Sequence, residues 1–202
     1  MKETILKSIA QVFLIVFSVV LGLYLSERIE DIKNDREATK LLSTLKSELK
    51  KNKELLDNWT PYHQGIIKDV DSLLKDDLFV DAFIKDPSAI YPIFTKGTLM
   101  AETPSADTWD IAKSHPLIVN FEYDELLALS RIYNQQENTY SVLPKLIDLM
   151  LSPDFNDKEK ARSNLQSFKN MMQDITGREI QLITYYNEAD ALLKYQDAKK
   201  TN

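Results

Sequence analysis

The chain of 202 residues carries 25 basic and 31 acidic side chains, a formal net charge of −6, and contains four glycines, two histidines and no cysteine. The acidic balance argues against nucleic acid and anionic lipid headgroups as partners of the body, since both demand a basic face. Without cysteine there is no residue to acylate in a lipoprotein, and four scattered glycines can neither form a phosphate loop nor supply the tight turns of an all-β fold.

Ile5 to Leu25 is an apolar run with no charge after Lys7. At 1.5 Å per residue it reaches about 31 Å as a helix, which matches a bilayer core of roughly 30 Å. The run reads as an uncleaved membrane span. A cleaved signal peptide is the weaker reading, because the only passable cleavage triplet, Val20-Leu21-Gly22, is followed by Leu23-Tyr24-Leu25-Ser26-Glu27-Arg28 with no turn-former. A buried core helix fits less well, since the run is apolar on every side. Gln11 and Ser18 are its polar residues, seven apart and on one face, placed to hydrogen-bond a partner helix or, for Ser18, to bond back to its own helix. The flanking charges favour a cytoplasmic N-terminus, with the body outside the inner membrane.

Beyond the span the apolar residues thin to one stripe: Leu25, Ile29, Ile32, then Leu42, Leu45, Leu49, Leu56 and Trp59, with Asn52 in the vacant position. This predicts one rod from the bilayer into the body. Thr60-Pro61 reads as a cap and first position of a second helix that ends near Asp76-Asp77. From Leu78 to Pro104, four glycine or proline breakers separate apolar residues that predict short helical turns packed over a bundle. Ser105 to Lys113 predicts another short helix, with Trp109, Ile111 and Ala112 inward and His115-Pro116 at its end. A long helix is expected over about 120–151, with a seam at Leu126, Leu129, Tyr133, Gln136, Tyr140, Leu143, Ile147 and Met150, bent by Pro144. Asn156 or Asp157 caps the last helix, whose seam runs Leu165, Phe168, Met172, Ile175, Glu179, Leu182, Tyr186, Ala189 and Leu193, with an irregularity at Gly177 and an end near Tyr195.

The fold expected is therefore all-α, an N-terminal transmembrane helix continuing into an antiparallel helical bundle with short capping helices. Residues 1–26 form the tail and transmembrane anchor, and residues 27–202 the helical soluble domain. No catalytic, cofactor-binding or metal-ligating set emerges. His63 and His115 lack companions at ligand spacing, and His63 reads as a surface or boundary residue. The carboxylates Glu122, Asp124 and Glu125 suit a helix N-terminus without any chemistry. Trp59, Tyr62, Tyr91, Phe94 and Trp109, with Phe121 and Tyr123, cluster at helix ends and in the middle section, as a partner surface, a ligand pocket or a cap over the bundle end.

Val20-Leu21-Gly22-Leu23-Tyr24-Leu25-Ser26-Glu27-Arg28, Thr108-Trp109-Asp110 and Leu129-Ser130-Arg131-Ile132-Tyr133 together resemble an uncharacterised bacterial family of membrane-anchored helical proteins, domain of unknown function 6090. That resemblance implies a single span and a helical body, and brings no activity. The expected function is a non-enzymatic, single-pass inner-membrane protein acting through protein–protein interaction, as a homo-oligomer or an accessory subunit of a membrane assembly. Its lipid partner would be the bilayer around Ile5 to Leu25, with no cofactor and no nucleic acid. The alternative is an extracytoplasmic ligand-binding or sensor bundle.

Overall fold

The computed structural model describes the backbone of residues 2–201 and the side chains of residues 13–194. Among these residues all regular structure is helical: α1 (Lys2–Leu73), α2 (Asp77–Lys85), a 3-10 turn (Pro87–Ile93), α3 (Asp107–Ser114), a second 3-10 turn (Pro116–Asn120), α4 (Tyr123–Tyr140), α5 (Leu143–Leu151) and α6 (Ala161–Thr201).

The spine is α1, a single helix of 72 residues and hence about 108 Å long. Its seam, Ala38, Leu42, Leu45, Leu49, Asn52, Leu56, Trp59, His63, Ile66 and Val70, alternates in steps of four and three without a slip, with Glu48 and Thr60 buried beside it. That spacing keeps one narrow stripe facing the same neighbours over the whole contact. The outer face is laced by Lys33–Glu37, Lys50–Glu54 and Lys53–Asp57 pairs one turn apart, worth a few tenths of a kcal/mol each.

The expected restart at Thr60-Pro61 does not occur: α1 passes through Pro61 to Leu73. Pro61 is exposed, so the carbonyl of Asp57, which loses its helical donor, lies on the side where water can replace it. Beside it, the buried hydroxyl of Thr60 has no hydrogen-bond partner.

Running back against α1, α6 sets Asp71 beside Lys169 and His63 beside Glu179. Parallel to α1 runs α4, with Glu48 facing Tyr133 and Asn52 facing Gln136. The bundle is thus up, up, down rather than wholly antiparallel, and only α6 packs its backbone closely against both other long helices. A strap formed by residues 77–122 returns the chain along α1 between the two parallel helices. Its contacts descend in order, from Thr98 at Tyr62 and Leu99 at His63 to Ser105 at Asn52, Thr108 at Glu48 and Asn120 at Asp35. The short helices are this strap rather than caps over one end.

Two apolar clusters fill the body. One joins Leu42, Leu45, Leu49 and Leu56 to Trp109, Leu129, Leu182 and Tyr186; the other, farther along α1, joins Ile66 and Val70 to Phe83, Ile90, Leu146 and Phe168. Each fully buried Leu or Phe stabilises by roughly 1.5–3 kcal/mol.

Four further expectations are corrected. The helix expected over 120–151 is two helices, because Pro144 has no N–H to bond Tyr140 and the chain turns at Ser141-Val142. Merging the first pair and splitting this one leaves three long helices in place of four amphipathic ones. Ile111 faces outward, as its place between the buried Trp109 and Ala112 requires. Gly177 leaves α6 unbroken, and α6 starts at Ala161, whose N–H bonds the Asp157 carbonyl, then continues to Thr201, past the expected end.

Residues 13–33 of α1 are exposed throughout: Phe13 to Leu25 expose their apolar side chains all round, Phe13 by 71% and Leu21 by 43%. Among the described residues no helix is long and apolar enough to cross a membrane. The expected span starts at Ile5, so its first part, including Gln11, lies outside the described side chains.

Candidate functional site

Between its two pairs of short helices the strap has no regular structure over 94–106, and where that stretch turns inward, at Pro104 and Ser105, its peptide groups need partners. Polar residues in the helix seams meet that need. The Asn52 side chain forms a two-bond clamp on Ser105, accepting from its N–H at 2.9 Å and donating to its carbonyl at 2.7 Å. From α4, Gln136 donates to the carbonyls of Pro104 and Ser105 at 2.7 and 3.0 Å, while Tyr186 of α6 donates to its amide oxygen at 2.9 Å. All three long helices therefore grip the strap at one level.

One turn earlier on α1, Glu48 accepts from the Tyr133 hydroxyl at 2.6 Å, the Thr108 N–H at 2.9 Å and the Ser105 hydroxyl at 3.1 Å. A carboxylate near the start of α3 also suits that helix's positive end. Ala106 offers no side-chain cap, so the first N–H groups of α3 are met from either side of it: Asp107 by the hydroxyl of Ser105, which with Thr103 was an expected cap, at 3.1 Å, and Thr108 by Glu48 of α1. The Tyr133 ring stacks on Trp109 with centroids 5.3 Å apart.

Farther along, His63 is buried, against the expectation of a surface residue. Its seam position forces it inward, where Glu179 from α6 supplies the charge that makes burial tolerable. Nδ1 lies 2.9 Å from Glu179 Oε2 and Nε2 lies 2.8 Å from the Leu99 carbonyl, while the Tyr140 hydroxyl donates to Glu179 Oε1 at 3.2 Å. Burial, helped by the neighbouring carboxylates Glu48 and Glu179, pushes the hydroxyls of Tyr133 and Tyr140 far above the usual tyrosine range, and burial likewise raises Tyr186. All three stay protonated donors through the neutral range. Their chemistry here is fastening: each donates to a group that needs a partner.

The expected aromatic surface divides into three places. Trp59 and Tyr62 pack edge-on beneath the strap, with Lys96 Nζ 4.5 and 5.3 Å from their rings, and Tyr62 donates to the Thr98 carbonyl at 2.7 Å. Trp109 is buried and borders a separate groove with Asp110, Lys113 and Glu137. Only Tyr91 and Phe94 share a cavity, an apolar one of about 430 Å³ between the strap and α5. Of the other expected contact pair, the Ser18 hydroxyl donates to the Leu14 carbonyl at 2.8 Å, the back-bonding alternative.

Sequence reasoning missed Glu48 and His63. The signal for His63 was its phase, four residues from Trp59 and three from Ile66. For Glu48, adjacent to seam residue Leu49, there was none. The acidic start of α4 is structural, as expected, with Glu122 and Glu125 forming a reciprocal capping box. Among the described residues no group of three or more histidines, aspartates or glutamates is placed to hold a metal ion. The chain matches no family model, no curated protein and no solved structure.

Proposed function

We propose that this is a single-pass, membrane-anchored helical protein that acts by binding another protein or further copies of itself, with its body on the outer side of the inner membrane. One observation carries the reading: the helix whose apolar segment stands uncovered is the same unbroken helix that forms the spine of the bundle. An all-round apolar surface of that kind needs an apolar medium, and lipid supplies one without any help from the body. Together with Ile5–Val12, the exposed Phe13–Leu25 has the length and character of a span. Rigid attachment suits a protein that must present a surface at a set height, and the polar interior is occupied by holding the strap.

The test is purification of the full chain from native membranes in mild detergent, followed by sizing and mass spectrometry. The expected result is membrane fractionation and a stoichiometric complex, either with a defined second protein or as a homo-oligomer. Recovery as a monomer from the soluble fraction overturns the proposal.

A further inference from the structure

The cavity between the strap and α5 has walls of Tyr91, Phe94, Leu99, Met100, Ile147 and Met150, joined by the flanking leucines of α5. Its volume of about 430 Å³ falls in the range of small-molecule sites. It opens to solvent past the exposed Tyr91, Ile147 and Leu151, and its strap wall is fastened from behind. Gly97 turns the strap at φ +73°, and the next two carbonyls are pulled away from the cavity, Thr98 by the Tyr62 hydroxyl at 2.7 Å and Leu99 by His63 Nε2 at 2.8 Å. Both anchors sit on α1, so the wall is fastened to the long helix at the spine of the bundle.

That bracing also defines what fits. No charged side chain lines the cavity. The Thr98 hydroxyl spends its one hydrogen on the Met100 carbonyl at 3.3 Å and can only accept further bonds, so of the two lining hydroxyls that of Tyr91, at the exposed edge, is the one left to donate to a ligand. A charged or strongly polar molecule would be desolvated there without partners. Two methionines supply walls that adapt to shape more than to chemistry. We infer that this cavity is a binding site for a small, neutral, apolar molecule with one hydroxyl or comparable polar end, of the medium-chain alcohol class, its chain against Phe94, Met100 and Met150 and its polar end at Tyr91. The inference stands independently of the membrane reading.

The probe is a medium-chain alcohol bearing a diazirine on its chain, photolysed with the full protein in lipid nanodiscs and mapped by peptide mass spectrometry. Saturable adducts are expected on 91–100 and 143–151, competed by unlabelled decanol. Ile147→Trp and Met150→Trp, which add bulk at the wall, should lower them by about tenfold or more. Leu127→Trp adds the same bulk at an exposed position elsewhere and should leave them unchanged. Adducts within 13–25 report lipid contact and are scored apart, so the two readings fail separately. Adducts that are confined to 13–25, that do not saturate, or that survive both filling variants in folded protein overturn the site. So does a co-purifying polypeptide cross-linked at these segments in place of the probe.

Discussion

His63 and Glu179 meet where neither side chain touches water, with 3% and 0% of their surfaces exposed. The Leu99 carbonyl can only accept, so Nε2 carries a hydrogen, and one further proton is held between Nδ1 and Oε2. The pair is neutral as a whole and satisfied at every polar atom that faces a partner, which is the condition under which a buried pair is tolerated. Truncating one member strands the other: His63→Ala is expected to cost about 3–5 kcal/mol, and Glu179→Leu a similar amount. The double variant H63L/E179L should cost far less than the two single losses together, because it removes both charges and refills the volume. Urea unfolding of the full chain and its three variants measures the coupling; additive losses would mean that the two residues act separately. Half of this pair was legible in the sequence, since Glu179 stands plainly at a seam position between Ile175 and Leu182. His63 was not, because a lone histidine just after an expected restart at Thr60-Pro61 reads as a surface or boundary residue unless its phase against Trp59 and Ile66 is followed.

Phase is also what decides the fate of Pro61. A restart would shift the buried positions around the new helix, yet Leu56, Trp59, His63, Ile66 and Val70 keep the same alternation across it. Packing of one continuous seam outweighs a local penalty of about 3 kcal/mol for proline inside a helix. Part of that penalty is offset in the unfolded chain, where proline restricts conformation by about 0.4–1 kcal/mol. Pro61→Ala should therefore stabilise the protein by about 2 kcal/mol, by restoring the bond to the Asp57 carbonyl. Denaturant midpoints with unchanged slope would report it; a lowered midpoint would show that a proline bend is built into the packing against α6. Pro144 has the opposite outcome, breaking α4 from α5, because the seam beyond it does not persist: Ile147 is exposed and only Leu146 of α5 is fully buried. The 3.6-residue rhythm made the helices readable, whereas which proline interrupts depends on partners that lie far along the chain. The strap was readable only as apolar and broken by prolines. Its place between two parallel helices rests on Asn52, Gln136 and Glu48, polar residues whose purpose appears only once Ser105 is beside them.

At the scale of the whole molecule, α1 decides how the body relates to whatever holds Phe13–Leu25. The body first touches α1 at Asn34 and Asp35, so eight residues of uncovered helix, Ser26–Lys33, separate the two, about 12 Å of rod. Charges of both signs cover this stretch, with a Lys33–Glu37 pair one turn apart and no glycine or proline to hinge it. A rod of this kind fixes height and azimuth together, whereas a jointed linker would fix only a maximum reach. The chain has no cysteine, so spin labels can be placed at Glu27 and Lys50 without background. Both positions are exposed, and an unbroken helix sets them about 35 Å apart along its axis. A narrow distance distribution near that value is expected in lipid nanodiscs. A broad one weighted to shorter distances would mean that the body swings on a joint, and a surface presented at fixed height would no longer be a tenable account of how a partner is met. Inserting Gly-Pro between Lys33 and Asn34 makes that joint deliberately: it should broaden the distribution and weaken the co-purified complex while leaving the unfolding midpoint of the bundle unchanged, since the insertion lies ahead of Asn34 and Asp35, where the body first covers the helix.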